Sequence, residues 1–574
     1  MYCLIKNRTK HSRALQNEKE GVDTMLELYG KGVSNGIAIG RLSYYSKSSD
    51  NVPKYSVSDA GTELKRYKTA VKRAKQHLQL LYDEACKRIS KSESVIFQTH
   101  IMILDDSKFV ETVENLILTK HLNAEFAVYD TAMKIAEIFR SLDDEYLQQR
   151  YTDIMDAANT VLEILHPKKM MQPEESEPVI IAASELLPSE TISLKQNNLL
   201  GFITTKGSKN SHTAILARTL GLPLITQIKG SLSRYDGMEA IIDGQTGRVV
   251  INPDHNTIAH YKAKQKIYEG QLQNLKNQLG LPAVTKNGQM IKLSARIENI
   301  DGIEGARSSD AEGVGIFRTD YLYVKRKNPP SEDEQFSVYK TIMRAFDGRP
   351  VTISAANLSS EKSIDYLDIP KENNPAIGYK GIRVLLDNKE LFMTQLRAMY
   401  RASVFGELSI LLPMVNNTEE IDYVKRTIEE VKLDLRAKGQ EYSNSVKLGV
   451  IIQTPAAAII SDEICRVTDF VVIGTDSLTQ FTLAMDRENQ KLEYFYEPYH
   501  KAVLRLIRLV CRNAHEYGKS VSLCGELACD PHMTKTFLAM KADELIVVPS
   551  KLLDVKAAVR NADTTDCERI LSRI

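Results

Sequence analysis

The chain has 574 residues, 43% hydrophobic and 26% charged, the composition of a globular protein too long for one ordinary core. With 75 Lys and Arg against 74 Asp and Glu, no global charge draws it to nucleic acid or anionic lipid, and neither is expected as a partner. No run reaches the roughly 20 apolar residues of a membrane span, so no membrane insertion is expected; the longest candidate, 448–460, is broken by Gln453, Thr454 and Pro455.

Residues 1–24 are polar and basic, without the apolar stretch of a signal peptide, and Met25 stands directly before the first patterned segment. The expectation there is a flexible extension or a misassigned start codon. Residues 26–45 alternate apolar residues with Gly and polar ones, predicting a strand, a turn and a strand. Over 58–165 glycine almost disappears and apolar residues recur at helical spacing, as in Leu78, Leu81, Tyr82 and Ala85, predicting a subdomain of helical hairpins. Its basic residues, such as Lys65, Arg66 and Lys68, read first as a solvated face. Val179 to Ala183 reads as a buried strand, and short strands with glycine turns follow to residue 252. Residues 25–57 and 166–253 are thus expected to form one α/β domain with the helices inserted in it. Residues 254–282 read as a linker helix ending near Gly280 and Pro282. Seven Cys, without a CxxC pair, predict reduced thiols and a cytoplasmic location.

Residues 283–574 carry eight apolar strand-like runs: 290–297, 313–319, 351–357, 408–414, 447–453, 470–475, 520–525 and 544–549. Most are separated by helical stretches. Eight βα units in this length predict a closed (β/α)8 barrel, so the fold class is α/β, and the active site should lie at the C-terminal mouths of the strands. Arg318, Met414, Gln453, Asp476 and Cys524 fall there.

Four local patterns suggest chemistry. His212 follows a polar turn, residues 207–211, and opens an apolar helix, where free N–H groups and the helix dipole favour an anionic phosphoryl group. A surface His beside an N-cap Ser is the plainer reading of that dipeptide alone. Arg318 can grip phosphate or carboxylate with a bidentate fork, or make an ordinary salt bridge. Asp476 and Ser477, followed by Asp486 and Arg487, offer an acid and a base at another mouth, or a helix cap. Cys524 is either a packing residue or a thiol able to move a proton, with Glu526 two residues on.

Taken in order, these pieces resemble enzyme I of the bacterial phosphoenolpyruvate-dependent sugar phosphotransferase system. The resemblance runs from about residue 25 to the C-terminus and rests on SKNSHTAILAR, EGVGIFRTDYLYV, NPAIGYKGIR, LPMVNNTEE, IIQTPAAAII, IGTDSLTQFTLAMDR and VSLCGELACD, with IFQTHIMILDD in the helices. It implies that His212 takes the phosphoryl group of phosphoenolpyruvate, that Cys524 protonates the enolpyruvate left behind, and that His212, on a swivelling domain, passes phosphate to the carrier HPr docked on the helical subdomain. It also implies a homodimer formed by the barrel, Mg²⁺ as cofactor, and Arg318, Arg487 and Asp476 in the substrate site.

The departures are ordered. Gln453 stands at an acidic metal-ligand position, and the second metal ligand falls on Ser477, with Asp476 the one carboxylate nearby. Ser354 occupies the place of a usual phosphate-binding Arg, and Lys380 that of another. Leu187 replaces a Thr that orients the histidine, and Ser208 a loop Gly. The leading expectation is a phosphoenolpyruvate-protein phosphotransferase of the sugar uptake system. The alternative is a catalytically impaired paralogue that binds HPr or relays phosphate as a regulator. A dikinase is set aside, because the stretch before His212 has no room for a nucleotide-binding domain and no Gly-rich phosphate loop.

Overall fold

A computed structural model describes residues 25–45, 52–88, 91–140, 145–165, 178–187, 189–190, 198–207, 212–324, 326–362, 364–487, 489–492, 494–572 and 574. The predicted extension over 1–24 lies outside them. The molecule divides into two compact units between Gln271 and Leu272.

The first unit contains eight strands: β1 (Leu26–Tyr29), β2 (Lys31–Ser34), β3 (Ile37–Tyr45), β4 (Val179–Ala183), β5 (Leu199–Thr204), β6 (Leu224–Thr226), β7 (Glu239–Asp243) and β8 (Arg248–Ile251). They form one mixed sheet in the order β1-β8-β7-β3-β4-β5-β6-β2. Where the sequence predicts two strands over 26–45, the structure has three. Only Gly30 separates β1 from β2, yet these pair at opposite edges, so the sheet curls until its edges nearly meet. The closure needs glycine: a Cβ on Gly32 would stand 2.1 Å from the Gly244 carbonyl oxygen.

Five helices, α1 (Ala60–Arg88), α2 (Lys91–Asp105), α3 (Ser107–Lys120), α4 (Ala124–Arg140) and α5 (Glu145–Leu165), lie between β3 and β4. Local chemistry starts them. Asp59 accepts the Gly61 and Thr62 N–H groups ahead of α1, and the Asp106 carboxylate caps α3 by accepting from Phe109 N–H at 3.0 Å. Their apolar faces bury Tyr67, Leu78, Phe97, Phe109 and Val128 in a core separate from that of the sheet. Helix α6 (His212–Leu220) joins β5 to β6, and α7 (His255–Lys276) follows β8.

In the second unit, β9 (Lys292–Ile297), β10 (Val314–Phe317), β11 (Val351–Ser354), β12 (Leu408–Leu412), β13 (Lys447–Ile452), β14 (Phe470–Gly474), β15 (Ser520–Cys524) and β16 (Glu544–Val547) close into a parallel barrel, as predicted. The strands stop one to three residues short of most predicted C-terminal ends. Arg318, Met414, Gln453 and Gly525 therefore belong to the loops leaving the barrel, where the backbone turns outward and frees side chains from the ladder.

Side chains of alternate residues fill the barrel in layers, as strand geometry requires. At the bottom, Glu544 pairs with Lys292 at 3.0 Å and accepts from the Ser522 hydroxyl at 2.6 Å. Ile316, Leu411, Val472 and Ile546 pack the middle. The same periodicity carries Arg296, Arg318, Ser354, Gln453 and Cys524 to the upper rim, where they line one cavity. Among the described residues no helix is long and apolar enough to cross a membrane.

Candidate functional site

The barrel opens into a cavity of about 760 Å³ that brings together most of the barrel residues singled out by the sequence: Arg318, Ser354, Lys380, Gln453, Asp476, Ser477, Arg487, Cys524 and Glu526. Met414 and Asp486 line a neighbouring cavity instead. Strand register explains part of this. Gly474 on β14 lies opposite Cys524 on β15, so the residues two steps beyond each, Asp476 and Glu526, meet at the rim. The Glu526 N–H donates to Asp476 Oδ1 at 2.7 Å. Gly525, at φ +110°, permits that approach: a Cβ there would stand 2.5 Å from the same oxygen.

Asp320, nearly buried, organises the opposite wall. Its Oδ2 lies 2.7 Å from Arg318 Nη2 and 2.9 Å from Lys362 Nζ, while Oδ1 accepts the Asn357 N–H at 2.7 Å. Burial opposes its charge, but Lys362 and Arg318 outweigh that and hold its pKa below the ordinary carboxylate value. Asp320 thereby fixes the directions of two cations that the cavity exposes. Lys380 lies 3.6 Å from Glu361. Ser354 does not act as a donor into the cavity, since its hydroxyl donates to the Ala355 carbonyl at 2.9 Å.

Cys524 is 5% exposed. Burial, reinforced by the Asp476 charge, pushes its thiol up to about 12. At neutral pH it is a protonated thiol facing the cavity, suited to giving up a proton to a strongly basic carbon and unsuited to nucleophilic attack.

Arg296 was not found from the sequence. It is the penultimate residue of β9 and shares the inward parity of Lys292 and Ser294, so a period-two reading of that strand would have placed it at the rim. Burial opposes its charge, but Glu298, accepting from Nε at 2.6 Å, outweighs that and holds its pKa above the ordinary guanidinium value. Lys362 also lines the cavity, although the sequence reading gave it no role.

The positions implied for Mg²⁺ do not match what that ion requires, which is hard, preferably charged oxygens in octahedral array. Gln453 Oε1 accepts the Met414 N–H at 2.9 Å, and Gln453 Nε2 donates to Ser477 Oγ at 3.3 Å. The amide is thus held between the Met414 backbone and the Ser477 hydroxyl. Asp476 Oδ2 lies between two guanidinium groups, 3.5 Å from Arg487 Nη1 and 3.9 Å from Arg296 Nη1. Among the described residues, no group of three or more His, Cys, Asp or Glu is placed to hold a metal ion. This donor set does not fit Mg²⁺.

His212 belongs to the first unit and is the first residue of α6. Its side chain and the 208–211 turn lie outside the described residues. Around that helix the described contacts are specific: the Thr213 hydroxyl donates to the Leu186 carbonyl at 3.0 Å, and the Leu187 N–H donates to Glu190 Oε2 at 2.7 Å. The Leu187 segment is thus held through its backbone, and its side chain is buried.

Models of three parts of the phosphoenolpyruvate-utilising enzymes match the chain: the N-terminal domain over residues 29–150, the mobile domain over 175–247, and the phosphoenolpyruvate-binding domain over 272–564. The phosphoenolpyruvate-protein phosphotransferase of Bacillus subtilis (strain 168) is 35% identical over 552 residues, 96% of this chain and 97% of that protein. Its counterpart from Listeria monocytogenes is 34% identical over 551 residues, 95% and 96% of the two chains. A solution NMR structure of Enzyme I is 33% identical, covering 42% of this chain and 99% of its own, with a TM-score of 0.37. Domain models in this order, and relatives aligned from end to end, agree with the barrel and its cationic mouth: the chain belongs to the phosphoenolpyruvate-protein phosphotransferase family, enzyme I.

Proposed function

We propose that the protein transfers the phosphoryl group of phosphoenolpyruvate to its own His212 and from there to HPr. The observation that carries this reading is the barrel mouth, where Arg318 and Lys362, both held by Asp320, share a cavity with the protonated Cys524 thiol. Arg318, Arg487, Lys362 and Lys380 neutralise the phosphate and carboxylate of the substrate and fix its orientation, which supplies most of what phosphoryl transfer asks of a protein. A ring nitrogen of His212 attacks phosphorus, the bridging P–O bond breaks, and the enolate of pyruvate takes a proton at carbon from Cys524. The thiolate left behind regains its proton from solvent. The reaction requires His212 to reach the barrel mouth and then to leave it for HPr on the helical subdomain, so we assign residues 25–57 and 166–253 to a swivelling domain, 58–165 to HPr docking, 254–282 to the linker and 283–574 to the barrel.

The protein is expected to act in the cytoplasm, in keeping with the free thiols of its described cysteines. Tyr494, Phe495 and Tyr499 are exposed on the barrel unit, Tyr494 to 93%, and supply apolar surface for the homodimer. The test is intact-protein mass after incubation with phosphoenolpyruvate, with pyruvate assayed in parallel. The expected result is one added phosphate, its passage to HPr, and complete loss of both in His212→Ala. Phosphate gained only from phospho-HPr, with none from phosphoenolpyruvate, would overturn the barrel's catalytic role.

A further inference from the structure

We infer that the barrel binds phosphoenolpyruvate without a divalent cation, with the Arg296 guanidinium bringing the positive charge that a metal ion would bring. This rests on the phosphotransferase reading and deepens it, since it names how the same cavity holds that substrate. Three independent features carry it.

The first is the state of the positions where a metal would sit. Gln453 and Ser477 close on one another, and the Gln453 amide oxygen is already spent on Met414 N–H. A cation would have to compete with both hydrogen bonds for two neutral ligands, a poor exchange for an ion that prefers charged oxygens and gives up its water reluctantly.

The second is Asp476, the one carboxylate near those positions. One of its oxygens is bonded to the Glu526 N–H, and the other faces Arg487 and Arg296. A dication placed on that oxygen would sit against two guanidinium groups at close range, where like charges repel strongly.

The third is the charge that the cavity keeps without any ion. Among the described residues, five cationic side chains and three carboxylates line it, so it is already an anion site. Arg296 is the member best placed to add to it. It rises from β9 on the inward parity, and Glu298 anchors its Nε at 2.6 Å. Its Nη1 stands 3.9 Å from Asp476, too far for a hydrogen bond, which leaves protons free for a ligand oxygen. Ser354, which turns its hydroxyl to the Ala355 carbonyl, leaves room in the same cavity for the ligand that Arg296 would grip.

The experiment is calorimetric titration of phosphoenolpyruvate into the full-length His212→Ala protein, which holds the ligand without turnover, once with Mg²⁺ and once with a chelator. Mn²⁺ binding is followed in parallel by its paramagnetic resonance signal. The expected result is an affinity that agrees within about twofold under the two conditions, and no Mn²⁺ bound with or without the ligand. Adding Arg296→Gln should weaken binding by about tenfold or more in chelator, while Arg296→Lys, which keeps the charge, retains part of the affinity. Changing Gln453→Glu together with Ser477→Asp should create Mn²⁺ binding. Affinity that depends on Mg²⁺ in the parent protein, or Mn²⁺ bound there, overturns the inference and leaves the phosphotransferase reading intact. Unchanged affinity in Arg296→Gln overturns the role of that residue. No binding under either condition removes the inference and the proposed function together.

Discussion

The barrel mouth and the polar junction of the first unit use the same residue types to opposite ends. At the junction, where α5 meets the segment 184–190, Asp156 is fully buried; its Oδ2 accepts the Ser189 N–H at 3.2 Å, and its Oδ1 is bonded to the Ser189 hydroxyl. His100, also buried, sits 3.6 Å away, and Glu190 accepts from Asn159 and from the Leu187 N–H. These carboxylates are spent on backbone and neighbours, and they fix the loop whose Leu186 carbonyl receives Thr213, next to His212. At the barrel mouth Asp320 and Asp476 each give one oxygen to a backbone N–H and turn the other to cations, and the cations keep donors open to a 760 Å³ cavity. Charge that is buried and satisfied holds shape, while charge that is aimed into space holds a ligand.

The largest expected effect tests the first half of that statement. Asp156→Ala removes the acceptor of two buried Ser189 donors and should destabilise the first unit by about 3 kcal/mol, read as a lowered denaturant midpoint of that unit. The barrel's unfolding should not move. If the first unit keeps its stability, the junction is not the clamp described. Next is Cys524→Ala, expected to slow pyruvate formation by roughly a hundredfold or more through loss of the proton donor. Cys524 sits among apolar neighbours, so the variant's melting temperature must be compared; an equal loss of fold would assign the cysteine to packing.

The contrast also explains what the sequence made legible. Eight apolar runs at βα spacing announced the barrel, because a strand buried on both faces must be continuously apolar. Arg318, Gln453, Asp476 and Cys524 followed from strand ends, whereas Ser354 and Lys380 entered only through the family resemblance. Arg296 was missed because one charged residue inside such a run looks like an interruption until parity shows which way it faces. The junction was invisible for a different reason. Asp156, His100 and Glu190 come from three distant stretches, and nothing local marks a carboxylate as buried. The curl of the first sheet was likewise hidden, since Gly30 reads as an ordinary turn until β1 and β2 are seen at opposite edges.

A smaller effect sharpens the junction further. Burial, with Asp156 adding like charge, pushes the Glu163 carboxyl up to about 7 from an ordinary value near 4.5, despite a hydrogen bond from Tyr45. Between those values the folded chain holds a proton that the unfolded chain releases, so stability falls as pH rises through that window. Allowing for partial exposure, the contribution is about 2 kcal/mol. Glu163→Gln should flatten the slope of stability between those pH values. A slope unchanged in the variant would place the titrating group elsewhere.

The smallest expected change in stability belongs to the mouth, and it is the converse of Asp156→Ala. Arg487 is nearly half exposed, and its partner Asp476 keeps the Glu526 N–H when the guanidinium is gone. Arg487→Gln should therefore shift unfolding by no more than about 0.5 kcal/mol. The same change removes one of the charges facing the cavity, and affinity for phosphoenolpyruvate should fall by about tenfold. Stability measured by denaturant and affinity measured by calorimetry must separate here, whereas at Asp156 the loss should appear first in stability. A variant that lost fold and ligand in equal measure would show that Arg487 holds the rim together rather than the substrate, and the division between the two regions would fail at its most exposed point.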